Sequence, residues 1–165
     1  MSTSENAPET APETTFTADP GSHEATVVAI IDAPKEAVFR AYTEQDLFTQ
    51  WWGPKDLTCK VDTYEAVSGG KWRILHVDPD GNEYGFHGVY HLVSPDRIIN
   101  TFEFEGVPDH VCLETTTFED VDGKTRVVAH SVFQSVADRD GMSESGMRDF
   151  APVGMAQLQK VAQSL

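Results

Sequence analysis

The side chains in this sequence that are best suited to metal or acid–base chemistry are its histidines. His87 and His91 are four positions apart, a spacing that on a helix would place two metal ligands on one face. The residues around them alternate as in a strand, where the same spacing separates them by about 13 Å at 3.3 Å per residue. One ion cannot bridge that distance. The sequence therefore predicts no metal site, and it contains no cofactor-binding motif.

Three other histidines could take up or release a proton near neutral pH, because imidazole titrates there. They are His76, His110 and His130, and for each the alternative is an ordinary structural or solvated histidine. His76 is the strongest candidate, since on a strand it shares one face with Trp72 and Ile74 while basic residues occupy the other face. We assign the face with Trp72 to the interior.

Aromatic residues give the densest signal for a binding site. Trp51, Trp52 and Trp72 could belong to the core, or one of them could line a pocket, because large rigid side chains serve both purposes. Glu114 lies among three threonines and has a functional role only if it points inward, which depends on the register of its strand. The residues predicted to line a ligand cavity are Trp51, Trp72, Ile74, His76, Tyr84, Phe102, Phe104, Met147, Phe150 and Met155.

The elements that position these residues follow from periodicity and turn signals. Residues 1–21 are rich in Pro, Glu and Thr with few apolar side chains, so we predict a disordered tail followed by a single domain over 22–165. A β-branched strand over 24–31 precedes two short helices that end near Gly53. Six strands joined by short turns come next, and we expect sequence neighbours to pair antiparallel. The six strands are predicted at 57–64, 70–77, 83–93, 97–104, 110–119 and 124–133.

The last part of the chain, from about Ala137 to Leu165, has the longest run of helical periodicity. Its apolar residues recur every three or four positions and form one stripe. Pro152 lies inside this helix and removes the bond to the carbonyl of Arg148, so a bend is expected there; a break with Asp149 as a new N-cap is the alternative. A bend would separate part of the helix from the sheet and favours a pocket of a few hundred Å³.

Composition excludes several classes of protein. A chain of 165 residues is long enough for one domain with its own core. The net charge of −15 would repel a nucleic-acid backbone, so we expect no nucleic-acid partner. The sequence lacks a long apolar stretch, so we expect that the protein neither spans a membrane nor is exported. Only Cys59 and Cys112 are present, which favours a reducing, cytoplasmic location, although one bridge between them stays open.

Several short motifs occur in an order that resembles a known family. They are Asp32-Ala33-Pro34, Trp51-Trp52-Gly53-Pro54, Gly69-Gly70-Lys71-Trp72-Arg73, Pro79-Asp80-Gly81, Gly88-Val89-Tyr90 and Pro95-Asp96-Arg97-Ile98. From about Glu24 to Leu165 the chain resembles the SRPBCC superfamily (START-like, helix-grip), in the branch similar to the C-terminal domain of the activator of heat-shock protein 90 ATPase. The resemblance implies an α+β helix-grip fold, with a curved antiparallel sheet of about seven strands wrapped around a long C-terminal helix.

The same resemblance implies a cavity between sheet and helix but does not choose the function, because one fold hosts many activities. Our leading hypothesis is binding of a small hydrophobic or aromatic molecule in that cavity, with His76 or Tyr84 fixing its orientation. An enzyme of the polyketide-cyclase kind and a chaperone-interaction module are the alternatives. The expected partners are accordingly an unidentified small hydrophobic molecule or a chaperone.

Overall fold

The computed structural model describes residues 10–165, which form eight strands and four α-helices. The strands are β1 (Thr14–Thr17), β2 (Glu24–Ile31), β3 (Thr58–Tyr64), β4 (Lys71–Val77), β5 (Glu83–Ser94), β6 (Arg97–Phe104), β7 (Val111–Val121) and β8 (Lys124–Val132). The helices are α1 (Lys35–Thr43), α2 (Gln45–Trp51), α3 (Val136–Met142) and α4 (Arg148–Gln163). This architecture confirms the predicted α+β helix-grip fold, with one strand more than expected.

All eight strands belong to one antiparallel sheet in the order β1-β2-β8-β7-β6-β5-β4-β3. From β3 to β8 each strand pairs with its neighbour in sequence, as the short turns predict. Strands β2 and β8 also pair, which brings the two ends of the domain together. Alternate residues of each strand therefore point to the inner face of the sheet, and the intervening ones face solvent. On β4 the buried residues are Trp72, Ile74 and His76, so their predicted inward orientation is correct.

The main contacts of α4 are with α1, α2, β1 and β2, rather than with the middle of the sheet. Its buried face includes Ala151, Met155 and Leu158. The side chain of Gln157 also points inward and donates from Nε2 to the carbonyl oxygens of Trp51 and Gly53, at 2.7 and 3.1 Å. Because the helix backbone is held at one end of the sheet, space is left over the central strands.

Strand β1 lies in the segment that the sequence assigned to a disordered tail, so that prediction is wrong for Thr14–Thr17. The strand pairs with β2, and Phe16 packs against the core beneath the guanidinium of Arg148, whose Cζ is 4.9 Å from the ring centroid. The buried guanidinium of Arg139 donates to the carbonyl of Asp19 at 2.9 Å. These contacts offset the ordering entropy of a segment with little apolar surface of its own. Residues 1–9 of the predicted tail lie outside the described residues.

The C-terminal helical region is interrupted at Gly146, ahead of Pro152. A π-helical turn over Ser143–Met147 joins α3 to α4, and within it Gly146 has φ of 123°. Glycine reaches this left-handed conformation without the steric penalty of a Cβ. Helix α4 starts directly afterwards, with Met147 rather than Asp149 at the N-cap position. Pro152 lies inside α4, where it removes the hydrogen bond to the carbonyl oxygen of Arg148.

Candidate functional site

A cavity of about 210 Å³ lies between the inner face of the sheet and the start of α4. Its lining is mostly apolar and comes from α1, α2, the central strands, the π turn and α4. Met147, Phe150, Ala151, Gly154 and Met155 form the helical side. The break at Gly146 determines where this side begins, because Met147 is the last residue of the π turn. The chain therefore encloses an apolar space of the kind that small molecules occupy.

Trp52 is at the centre of the aromatic wall of the cavity. Its ring is stacked on Phe48 at a centroid distance of 5.5 Å and meets the edge of Trp72 at 5.7 Å. Trp72 in turn is stacked on Phe102 at 6.1 Å. Trp51 is held in place by a hydrogen bond from its Nε1 to the carbonyl oxygen of Ala41, at 2.9 Å. These contacts fix large rigid surfaces around the cavity before any ligand enters.

A row of polar side chains crosses the sheet beneath this aromatic wall. Tyr90 pairs with Asn100 across β5 and β6, Asn100 pairs with Glu114 across β6 and β7, and Glu114 pairs with Ser131 across β7 and β8. All four residues line the cavity. Because paired residues of neighbouring strands share one face of the sheet, the register turns four separate positions into one polar stripe.

Glu114 is the acidic member of this stripe. Its Oε2 accepts a hydrogen bond from Asn100 Nδ2 at 3.3 Å. Burial raises the pKa of the Glu114 carboxyl above its ordinary value, and the hydrogen bond from Asn100 opposes this shift only in part. Burial likewise raises the pKa of Tyr90 to about 12, and it raises the pKa of Tyr42 and Cys112. The side chains of Tyr90, Tyr42 and Cys112 therefore remain neutral at physiological pH. Among these four groups, Glu114 is the one that can carry a charge at that pH.

Comparison with protein families identifies the chain. Residues 32–163 match the model of the family described as "Activator of Hsp90 ATPase homolog 1-like protein". The chain belongs to this family. The match covers α1 to α4 and every strand from β3 onward, so it includes every lining residue of the cavity except Val27. A comparison with curated proteins found no match.

Several solved structures share the fold of this chain. A crystal structure of a Mycobacterium smegmatis protein is 21% identical, with a TM-score of 0.80 over 90% of this chain and 96% of the other. A solution structure from Arthrobacter aurescens is 23% identical, with a TM-score of 0.82 over 92% of each chain. A crystal structure from Rhodobacter sphaeroides is 22% identical, with a TM-score of 0.82 over 93% of this chain and all of the other. At these levels of sequence identity, the structural similarity establishes the fold of this chain.

Six of the ten residues predicted to line the cavity do line it. These six are Trp51, Trp72, Phe102, Met147, Phe150 and Met155. The other four lie elsewhere. Ile74 is fully buried in the core, and Phe104 packs on Phe86 at 5.2 Å near the end of β6. Tyr84 is 39% exposed and bonds Asp78 in the adjacent turn, because it precedes the part of β5 that the helices cover.

His76 is also outside the cavity, although it is inward-facing and 5% exposed. Its ring lies behind Trp52 at a centroid distance of 4.8 Å and next to Phe86 at 5.0 Å. Gly53 adjoins it so closely that a Cβ there would be 2.5 Å from the imidazole. Burial lowers the pKa of His76, so it is a neutral packing residue in this fold. His76 is thus separated from the cavity by Trp52 and is not among the lining residues.

The residues missed by sequence reasoning are mostly polar or come from the first two helices. Tyr42, Phe48, Trp52, Tyr90, Asn100, Thr116 and Ser131 line the cavity but were not among the predicted residues. Strand alternation could have found Asn100, since it is two positions from Phe102 on β6. Glu114 required the register of β7, which places it between the buried residues Cys112 and Thr116.

His87, one of the two histidines considered for metal binding, pairs with an acidic side chain at the surface. His87 Nδ1 is 2.9 Å from Glu105 Oε2, and Arg73 Nη2 is 2.8 Å from the other oxygen of Glu105. His110 and His130 lie next to Asp138 and Glu24 in the same way. Within residues 10–165, no group of three or more potential ligands is arranged to hold a metal ion. In that range every helix is also too short or too polar to traverse a lipid bilayer.

Replacing Glu114 with glutamine is expected to stabilise the protein at neutral pH. A carboxyl whose pKa is raised on folding binds more protons in the native state than in the unfolded state, so the free energy of unfolding falls as pH rises from about 4.5 through the native pKa. Glutamine keeps the shape and the acceptor for Asn100 but carries no charge. We expect a gain of about 1–3 kcal/mol at pH 7, the usual cost of burying a poorly partnered polar group.

Urea unfolding of both proteins at pH 5, 6, 7 and 8 measures this difference. The stability gain of Glu114→Gln should grow with pH, whereas the surface histidine pairs contribute equally to both proteins and cancel. Glu119→Gln is the matched control, because Glu119 lies on the same strand with its side chain in solvent. A gain for Glu114→Gln that is independent of pH would contradict an ionisable, buried Glu114.

Proposed function

We propose that this protein binds one small hydrophobic or aromatic molecule in the cavity between the sheet and α4. The observation that supports the proposal is the combination of an apolar space of about 210 Å³ with a polar stripe along one wall. Ligand sites commonly join apolar walls to a few polar groups that fix orientation. Here Asn100 and Glu114, instead of His76 and Tyr84, are the groups that would orient the ligand.

The size of the cavity limits both the ligand and its affinity. A volume of about 210 Å³ suits a molecule with one or two rings rather than a long acyl chain. Burying about 300 Å² of apolar ligand surface contributes about 7.5 kcal/mol at 25 cal/mol per Å². The tryptophans are already held by their own contacts, so little side-chain entropy is lost on binding. We expect dissociation constants in the micromolar range, near −8 kcal/mol.

Native mass spectrometry of the freshly isolated protein tests this proposal. The expected result is a mass above that of the chain by one small molecule, which is released on denaturation and identified after extraction. Adding the extracted molecule back to stripped protein should quench or shift tryptophan fluorescence, since Trp51, Trp52 and Trp72 line the cavity. A protein that carries nothing and binds no aromatic probe would overturn the proposal.

A catalytic role is the second candidate, and Glu114 is the observation that favours it. A carboxyl with a raised pKa in an apolar site can accept a proton from a bound substrate and return it. This is the chemistry that an enzyme of the polyketide-cyclase kind requires. Incubating the extracted molecule with stripped protein distinguishes a binding protein from an enzyme. An enzyme would convert the added molecule to a product, and Glu114→Gln would stop the conversion. A co-purified chaperone would instead support the interaction-module hypothesis.

We place the protein in the cytoplasm. Cys59 on β3 and Cys112 on β7 are free thiols, and these strands are separated in the sheet by β4, β5 and β6. Burial raises the pKa of Cys59 to about 11, so its thiol is unreactive. Neither cysteine therefore depends on an oxidising compartment.

A further inference from the structure

We propose that the cavity selects hydrophobic amines, with the protonated nitrogen against Glu114 and the ring system among the tryptophans. This inference rests on the proposed ligand binding and adds the chemical class of the ligand. The proposal follows from the charged and neutral side chains that line the cavity and from the aromatic rings in its walls.

The cavity contains the carboxyl group of Glu114 without a basic side chain to pair with it. Lysine and arginine are absent from the described residues that line it. His130 belongs to the lining, but its ring nitrogen Nε2 lies 2.9 Å from Glu24 Oε1 at the surface. Within residues 10–165, the side chain that donates to Glu114 is the neutral amide of Asn100. A cationic ligand would therefore supply the charge partner that the protein itself does not.

The aromatic residues around Glu114 suit a cation as well as a ring. Tyr42 and Trp51 pack edge to face with centroids 4.8 Å apart, and both line the cavity. The electron-rich faces of tryptophan and tyrosine attract ammonium groups, by about 2 kcal/mol where water is excluded. A carboxylate next to aromatic faces is thus complementary to an alkylammonium group in both charge and shape.

Other ligand classes fit this lining less well. A fatty acid or an aromatic carboxylate would place a second negative charge near Glu114, and like charges repel strongly at low dielectric. A neutral aromatic ligand would remove water from Glu114 without replacing it by a partner, which costs free energy. An amine avoids both penalties, because it satisfies the carboxylate while its hydrocarbon part fills the apolar space.

Isothermal titration calorimetry with three matched probes tests this selectivity. The probes are 2-(1-naphthyl)ethylamine, 2-(1-naphthyl)ethanol and 3-(1-naphthyl)propanoic acid, which share a ring system and differ in the charge of the end group. For the natural sequence we expect the amine to bind at least about tenfold more tightly than the alcohol, and the acid to bind most weakly. Glu114→Gln should lose the preference for the amine and keep the affinity for the alcohol within about threefold.

Glu119→Gln is the control for charge, because it removes one carboxylate from the solvent-facing side of the same strand. It should retain the order amine, alcohol, acid. Circular dichroism and urea unfolding establish that both variants are folded. Equal binding of amine and alcohol by the natural sequence, or an unchanged preference in Glu114→Gln, would overturn the assignment of amines while leaving the ligand cavity intact. Failure of all three probes to bind would overturn the proposed function as well.

Discussion

Replacing Gly154 with leucine is expected to abolish ligand binding while the protein stays folded. Gly154 lies on the buried face of α4 and lines the cavity. A Cβ at this position would be 2.9 Å from the ring of Phe150, which is the far end of a side chain that can rotate away. The leucine side chain would then occupy space in a cavity of only about 210 Å³. We expect affinity to fall at least about 100-fold, or about 2.8 kcal/mol.

The stability of Gly154→Leu should change little, because leucine favours a helix over glycine by nearly 1 kcal/mol and offsets the displacement of Phe150. Val153→Leu is the matched control, since Val153 is the preceding residue of α4 and is 48% exposed. Fluorescence titration with 2-(1-naphthyl)ethanol measures both variants, so this comparison does not depend on a charged end group. Undiminished binding by Gly154→Leu would place the ligand outside the cavity.

The order of strands and helices could be read from the sequence because each element is bounded by strong local signals. The predicted strand over 97–104 coincides with β6, and that over 24–31 coincides with β2. Turns such as Pro79-Asp80-Gly81-Asn82 join neighbouring strands closely enough to leave antiparallel pairing as the simple choice. Local chemistry was therefore sufficient for most of the sheet.

Elements that depend on distant contacts could not be predicted in this way. Strand β1 has four residues, three of them threonine, and it is stabilised by pairing with β2 and by packing of Phe16 on the core. The sequence predicted a bend at Pro152, or a break with Asp149 as a new N-cap, and the observed break precedes both. It occurs at Gly146, which alone in this region has a positive φ among the described residues. The break therefore depends on the backbone conformation of Gly146, which the apolar periodicity of this region does not indicate.

The candidate site also combines residues that local sequence patterns predict with residues whose positions depend on distant contacts. Its apolar members, such as Trp72 and Met155, follow from alternation and helical periodicity. Its polar stripe depends on pairing between β5, β6, β7 and β8, which aligns Asn100 with Glu114. The sequence limits Glu114 to two orientations, and the register of β7 chooses the inward one. The residue most informative about ligand chemistry was thus the one that needed the fold to be interpreted.

Replacing Gly88 with alanine is expected to destabilise the protein more than the other substitutions considered. Gly88 lies in β5 opposite Trp72 of β4. A Cβ at Gly88 would be 1.9 Å from the carbonyl oxygen of Thr101 and 2.7 Å from Trp72 Nε1. The first of these atoms belongs to the backbone of β6 and cannot rotate away, so the strands must separate. We expect a loss of about 3 kcal/mol, at the upper end of overpacking effects, and a Tm lower by about 10 °C.

Gly141→Ala is the control for this last substitution, because it is the same chemical change at an exposed position of α3 with no atom within 4 Å of the added Cβ. It should raise stability by about 1 kcal/mol, the helix preference of alanine over glycine. Thermal unfolding should therefore shift in opposite directions for the two variants. Gly88→Ala should also weaken binding of 2-(1-naphthyl)ethanol, because it displaces the indole of Trp72, which lines the cavity. A Tm for Gly88→Ala within about 2 °C of the natural protein would contradict this prediction. It would mean that β5 and β6 can move apart at Gly88 at little cost, and that the position of Trp72 does not depend on their close approach.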